Sequence, residues 1–220
     1  MNMIRKGSVL LAALGVAFAA NAVPVVLDFE GLQSGEGVAE FYNGGTGSLG
    51  SSGTNYGASF SPATLALIDA DAGGSGNFGN EPSPDTIMFF LDANNAILNF
   101  AAGFDTGFSF FYTSSTAASV TVWSEVGATG TLLGTLNLVA QHTNGCTGDP
   151  SGTFCNWTAV GVAFAGIAKS IDFGGTANQT GFDDITFGSV DPGRVPEPAT
   201  LLLSGLALTA LWGTRRRKVQ

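Results

Sequence analysis

The sequence predicts an all-β fold, a two-sheet antiparallel sandwich of jelly-roll type. Three observations predict it. Apolar and aromatic residues fall in short runs, several alternating with polar residues at period two. Clusters of Gly, Ser, Asn, Asp and Thr separate these runs, with 32 glycines among 220 residues. The central part of the chain shows little helical periodicity, and many short strands joined by glycine-rich turns are the pattern of a sandwich.

Taken in order, strands are expected at residues 25–30, 58–60, 65–69, 86–91, 96–100, 107–113, 119–125, 131–139, 157–164, 170–173 and 182–187. Phe108, Phe110 and Tyr112 alternate with Gly107, Ser109 and Phe111, and Val120 and Val122 with Thr121 and Trp123. Each alternation assigns one set of side chains to a core and the other to the opposite face. Residues 34–55 and 73–85 are rich in Gly, Ser and Asn and are expected to be long mobile loops, with a disordered insert as the alternative. No repeat or internal linker divides residues 23–190, which are read as one domain large enough to bury a core.

Charge is unevenly placed. Arg5 and Lys6 lie near the start, and Arg215, Arg216, Arg217 and Lys218 near the end. Residues 23–194 hold two basic side chains (Lys169 and Arg194) against sixteen acidic ones, a net charge of −14. Such a body has no basic patch to neutralise phosphates, which argues against nucleic acid as a partner.

The ends read as addresses. Arg5 and Lys6, the short apolar run 9–20 and Ala20-Asn21-Ala22 have the order of a secretory signal peptide, with signal peptidase expected to cut after Ala22. An uncleaved anchor is the alternative. Residues 191–220 contain Val195-Pro196-Glu197-Pro198, an apolar stretch at 199–213 and the cluster Arg215-Arg216-Arg217-Lys218. The apolar stretch is expected to form a short transmembrane helix, and the cluster to stay on the cytoplasmic side of the inner membrane. A plain single-pass anchor is the alternative.

This C-terminal order resembles the PEP-CTERM sorting signal. The resemblance implies recognition by an exosortase in the inner membrane. It also implies a Gram-negative-type host that makes exopolysaccharide, and a protein that ends at the cell surface or in the extracellular biofilm matrix. Within the body, Leu27-Asp28-Phe29-Glu30-Gly31-Leu32, Tyr56-Gly57-Ala58-Ser59-Phe60 and Gly181-Phe182-Asp183-Asp184-Ile185-Thr186-Phe187 resemble segments of exported PEP-CTERM proteins with lectin-like or carbohydrate-binding-module-like sandwiches.

Cys146 and Cys155, the two cysteines, flank a turn-like segment and are expected to form a disulfide in an oxidising compartment. Period two puts Asp183 on the face of Ile185 and Phe187; if that face is the core, the carboxylate needs a partner or a cation. With Lys169 the lone lysine of the body, a calcium ion is one candidate. By resemblance to jelly-roll modules, Glu30 and Asp183 are its expected ligands, with Asp28 and Asp184 as neighbours; solvated strand ends are the alternative. Residues 69–80 only superficially resemble a calcium loop, since Asn80 stands where a glutamate is needed.

Phe41, Tyr42, Tyr56 and Trp123 are candidates for a sugar-stacking platform, although most aromatics are expected in the core. His142 is the single histidine and has no nucleophile-elbow motif beside it. No catalytic residues are assigned. The expectation is a non-enzymatic exported protein associated with exopolysaccharide. The alternatives are a calcium-dependent carbohydrate-binding module and, behind it, a polysaccharide hydrolase.

Overall fold

A computed structural model describes residues 24–143, 146–147 and 152–193. The signal-peptide and sorting-helix expectations lie outside these residues. Among the described residues eleven strands form, in chain order β1 (Val25–Leu27), β2 (Ala58–Phe60), β3 (Leu65–Ile68), β4 (Thr86–Phe89), β5 (Asn95–Phe104) and β6 (Gly107–Ser114). They continue with β7 (Ala118–Glu125), β8 (Thr129–Leu138), β9 (Thr158–Ala163), β10 (Ala168–Gly174) and β11 (Thr180–Phe187).

The expected two-sheet antiparallel sandwich forms. One sheet runs β3-β4-β11-β6-β9, with β1 added alongside β11; the other runs β2-β5-β10-β7-β8. All named pairs are antiparallel. Alternation sets the layers as read. Phe108, Phe110 and Tyr112 of β6 face the interior, as do Val120 and Val122 of β7. They meet Ile171 and Phe173 of β10 and Phe182 of β11, all buried. The rings pack largely edge-on: Phe173 and Phe182 lie 4.9 Å apart at 66°, Phe110 and Phe182 5.6 Å apart at 67°. That geometry sets positive ring edges against negative faces, so phenylalanine fills this core without needing hydrogen-bond partners.

Several boundaries differ from expectation. β1 stops at Leu27, because Phe29 turns the chain at φ 62°. β5 runs on to Phe104 through the small residues 101–103, and β8 begins at Thr129. The segment 34–55, read as a mobile loop, is a chain of hydrogen-bonded turns around a buried acid. The Glu36 carboxylate accepts the backbone N–H groups of Gln33, Leu49 and Ser51 at 2.8–3.1 Å. Burial acts to raise its pKa, but the hydrogen bonds from Ser51, Gln33 and Leu49 outweigh it and hold the carboxyl below its ordinary value. Phe41 and Tyr42 also anchor this segment in the core.

The two sheets differ on their outer faces. β4 and β11 are buried along nearly their whole length, and β6 is too. Ile87, Phe89 and Thr113 therefore sit under a second layer, made in part by Phe78, Phe154 and Trp157. Cys146 and Cys155 are bonded, Cα to Cα 4.8 Å, and fix this layer close to Gly79. Among the described residues the outer face of the five-stranded sheet is covered at one end, where Ser170 is buried; elsewhere β7 and β10 present part-exposed residues and β8 is mostly exposed.

Candidate functional site

The acids singled out for calcium converge at a seam in the six-stranded sheet. β11 has β4 beside it at Gly181–Phe182 and β1 beside it from Ile185 onward. Asp183 and Asp184 lie where one neighbour ends and the other begins. The register with β6 shifts between Asp183 and Thr186, and Asp184 adopts φ 48°. This bulge corrects the period-two reading. Phe182, Ile185 and Phe187 all face the core, so Asp183 does not share their face; it points to the opposite side and is buried there by the chain around Ser83.

Hydrogen bonds hold the seam. Asp183 accepts from the Ser83 N–H at 2.9 Å and from its hydroxyl at 2.7 Å. Glu30 accepts from the N–H groups of Asp85 and Thr86 at 2.9 and 2.8 Å. Glu30 and Asp183 thus grip the same stretch, 83–86, tying the first and last strands to β4. Asp28 reaches in through its carbonyl, which accepts the Ser83 hydroxyl at 3.1 Å. Among the described residues no three His, Cys, Asp or Glu side chains are grouped to hold a metal. Burial pushes the Asp183 carboxyl up to about 8, against the Ser83 hydrogen bonds. Burial, then the charges of Asp28 and Glu30, pushes Asp184 up to about 6.

The uncovered face of the five-stranded sheet carries a different set of groups. Register places Ser59, Asn99, Ser170 and Trp123 in one row across β2, β5, β10 and β7. A second row is Ile97, Asp172, Thr121 and Thr135, and a third is Asn95, Gly174, Ser119 and Asn137. The Trp123 Nε1–H donates to the Thr121 hydroxyl at 2.9 Å, so the indole leans along its strand toward the second row. The Asn95 amide donates to Asp172 at 3.0 Å and fixes that carboxylate. The β7–β8 turn folds over one end: the Gly127 N–H donates to the Asn99 side-chain oxygen at 2.6 Å and the Ala128 N–H to the Ser170 hydroxyl at 2.9 Å. The result is a polar floor of amides, hydroxyls and one carboxylate, with an indole beside it and a wall at one end.

Of the aromatic candidates, Phe41 and Tyr42 are buried, and Tyr42 donates toward Asp28 within the fold. Tyr56 is exposed on the 34–57 segment. Trp123 alone of the four stands on a sheet face. Its strand alternation was legible in the sequence; the Asn95, Asn99 and Asp172 floor was not, because nothing in the chain order pairs β5 with β10. His142 packs beside Phe154 near the disulfide, with ring centroids 5.6 Å apart.

Comparison with known proteins bears on the C-terminal end. Residues 194–218 match the model of the PEP-CTERM protein-sorting motif. The chain carries a PEP-CTERM sorting motif. It spans the Val195-Pro196-Glu197-Pro198 and Arg215–Lys218 residues singled out above, and it implies processing by an exosortase and sorting of an exported protein to the cell surface. No curated protein matches the PEP-CTERM chain in sequence. Among solved structures, a family 6 carbohydrate-binding module matches with TM-score 0.35 and 19% identity over 59% of this chain and 85% of its own. A carbohydrate-binding module from Cellvibrio mixtus lichenase 5A, in complex with cellotriose, matches with TM-score 0.34 and 13% identity over 57% and 85%. A Bacillus subtilis glycoside hydrolase family 43 arabinoxylan arabinofuranohydrolase matches with TM-score 0.37 and 18% identity, covering 57% of this chain and 24% of the enzyme.

Proposed function

We propose that the exported sandwich binds exopolysaccharide at the cell surface or in the biofilm matrix, without turning it over, through the outer face of its five-stranded sheet. One observation carries the reading: of the two outer sheet faces, this is the one left mostly open among the described residues, and it pairs an indole with a fixed polar floor. A sugar ring offers C–H groups on one side and hydroxyls at its rim. An indole packs against the first, while amides, hydroxyls and a carboxylate exchange hydrogen bonds with the second. A flat face suits a chain of sugars better than a single small molecule. The rows named above hold one carboxylate, Asp172, whereas glycoside hydrolysis needs two flanking the scissile bond; binding is favoured over hydrolysis.

The test is migration through native gels cast with polysaccharide extracted from the host matrix. Wild-type protein should be retarded, and Trp123→Ala should weaken retention at least tenfold, about 1.4 kcal/mol or more. An equivalent change on the 34–57 segment, Tyr56→Ala, should leave retention unchanged. Equal retention of wild type and Trp123→Ala would remove this face from the account.

A calcium requirement is a second reading, favoured by the crowding of Asp28, Glu30, Asp183 and Asp184 at one seam. A native state that binds calcium must melt higher when calcium is added and lower with chelator. Identical melting in both removes the reading and leaves the hydrogen bonds as the whole of the seam.

A further inference from the structure

The two sides of the sandwich are finished differently. On the side of β2 and β3 the sheet edges are covered by the segment that follows Ser34. The Gly35 N–H donates to the Ala66 carbonyl, the Ala66 N–H to the Glu36 carbonyl and the Phe60 N–H to the Ala39 carbonyl, at 2.8–2.9 Å. On the other side the sheets end in β8 and β9, and among the described residues neither strand has a partner on its outer edge. β8 is ten residues long, Thr129–Leu138, and mostly exposed. It carries no charge and no proline, the usual means by which an edge strand is kept from pairing with another chain. Leu132 is 49% exposed on it, beside Val126 at 45% in the turn that precedes it.

Charge says what this edge fits. Residues 23–194 carry sixteen acids against two bases, yet residues 126–168 contain one acid, Asp149, and no lysine or arginine. Residues 28–85, which include the covered flank, hold eight acids and no lysine or arginine, so copies meeting there bring carboxylates together; copies meeting by β8 do not. We propose that β8 pairs antiparallel with β8 of a second copy about a twofold axis, joining two five-stranded sheets into one of ten strands. An isologous contact of this kind closes as a dimer. Main-chain hydrogen bonds supply its attraction, as in strand addition generally. The open outer faces of both copies would then lie side by side.

Sedimentation velocity of the full chain in a density-matched non-ionic detergent tests this. Wild type should sediment as a concentration-dependent dimer. Leu132→Lys combined with Thr135→Lys, both at exposed positions, should raise the dimer dissociation constant at least tenfold with an unchanged circular dichroism spectrum. Leu49→Lys, on the opposite flank, should have no effect. A wild type that stays monomeric across the range overturns the proposal, and so does a dimer that the double variant leaves intact. Single cysteines at Thr131, Thr135 and Asn137 give an independent readout. Twofold pairing makes oxidative cross-linking peak at one position; cross-linking absent or equal at all three contradicts it.

Discussion

Single carboxylates govern how this domain responds to pH. Asp183 has an ordinary pKa of 3.8 and is pushed up to about 8 by burial, Asp184 from 3.8 to about 6, and Glu81 from 4.5 to about 7. For each, the folded state holds a proton that the unfolded state releases between the two values. Their stabilisation is therefore complete below about pH 4 and is lost as pH rises toward 8. Glu36 works in the other sense: its folded pKa lies below 4.5, so its contribution is present above that value and is lost on acidification. Melting followed from pH 4 to pH 9 should thus peak on the mildly acidic side and decline toward pH 8. Asp183→Asn keeps the shape and removes the titration, so the decline should flatten and the variant should gain on wild type at pH 8. Glu36→Gln puts an amide NH₂ against one of three N–H donors, and should cost about 1–3 kcal/mol in denaturant unfolding. Glu36 also shows what the sequence hid. Its neighbours are glycines and serines, which read as loop, and its three donors come from residues up to fifteen positions away.

At the level of the element, strand existence was legible and strand environment was not. Alternation in β6 and β7 placed Phe108, Phe110, Val120 and Val122 inside, because a period of two is a local property of the backbone. The same rule failed in β11, where the Asp183–Thr186 bulge shifts the register and moves Asp183 off the face of Ile185. A bulge leaves little trace in composition; here the trace was an aspartate pair in the middle of a buried strand. Nor did alternation show that β4 and β6 are covered on both sides, since that cover comes from loop residues such as Phe78 and Phe154, whose return onto the sheet no local period records. The disulfide stabilises part of that cover. Replacing Cys146 and Cys155 by serine should cost about 2–3 kcal/mol, the entropy of a loop of this length, measured as a lower unfolding midpoint under oxidising conditions. Under reducing conditions the wild type and the variant should unfold alike.

The whole molecule joins an export address to a folded, acidic surface. The sorting motif at residues 194–218 places the protein in an export route, and what that route delivers is an acidic body in which, among the described residues, one sheet face is covered and the other mostly open. The address was plain in the sequence because it is read linearly, by a protease pocket and a membrane. The face proposed for binding was not, because it exists only once five strands from across the chain lie side by side. The most direct measurement is the intact mass of the protein recovered from the surface and matrix of its own bacterium. The expected species begins after Ala22 and has lost the Arg215–Lys218 cluster. A chain recovered only from the cytoplasm, with Met1 and the terminal arginines still attached, would contradict it.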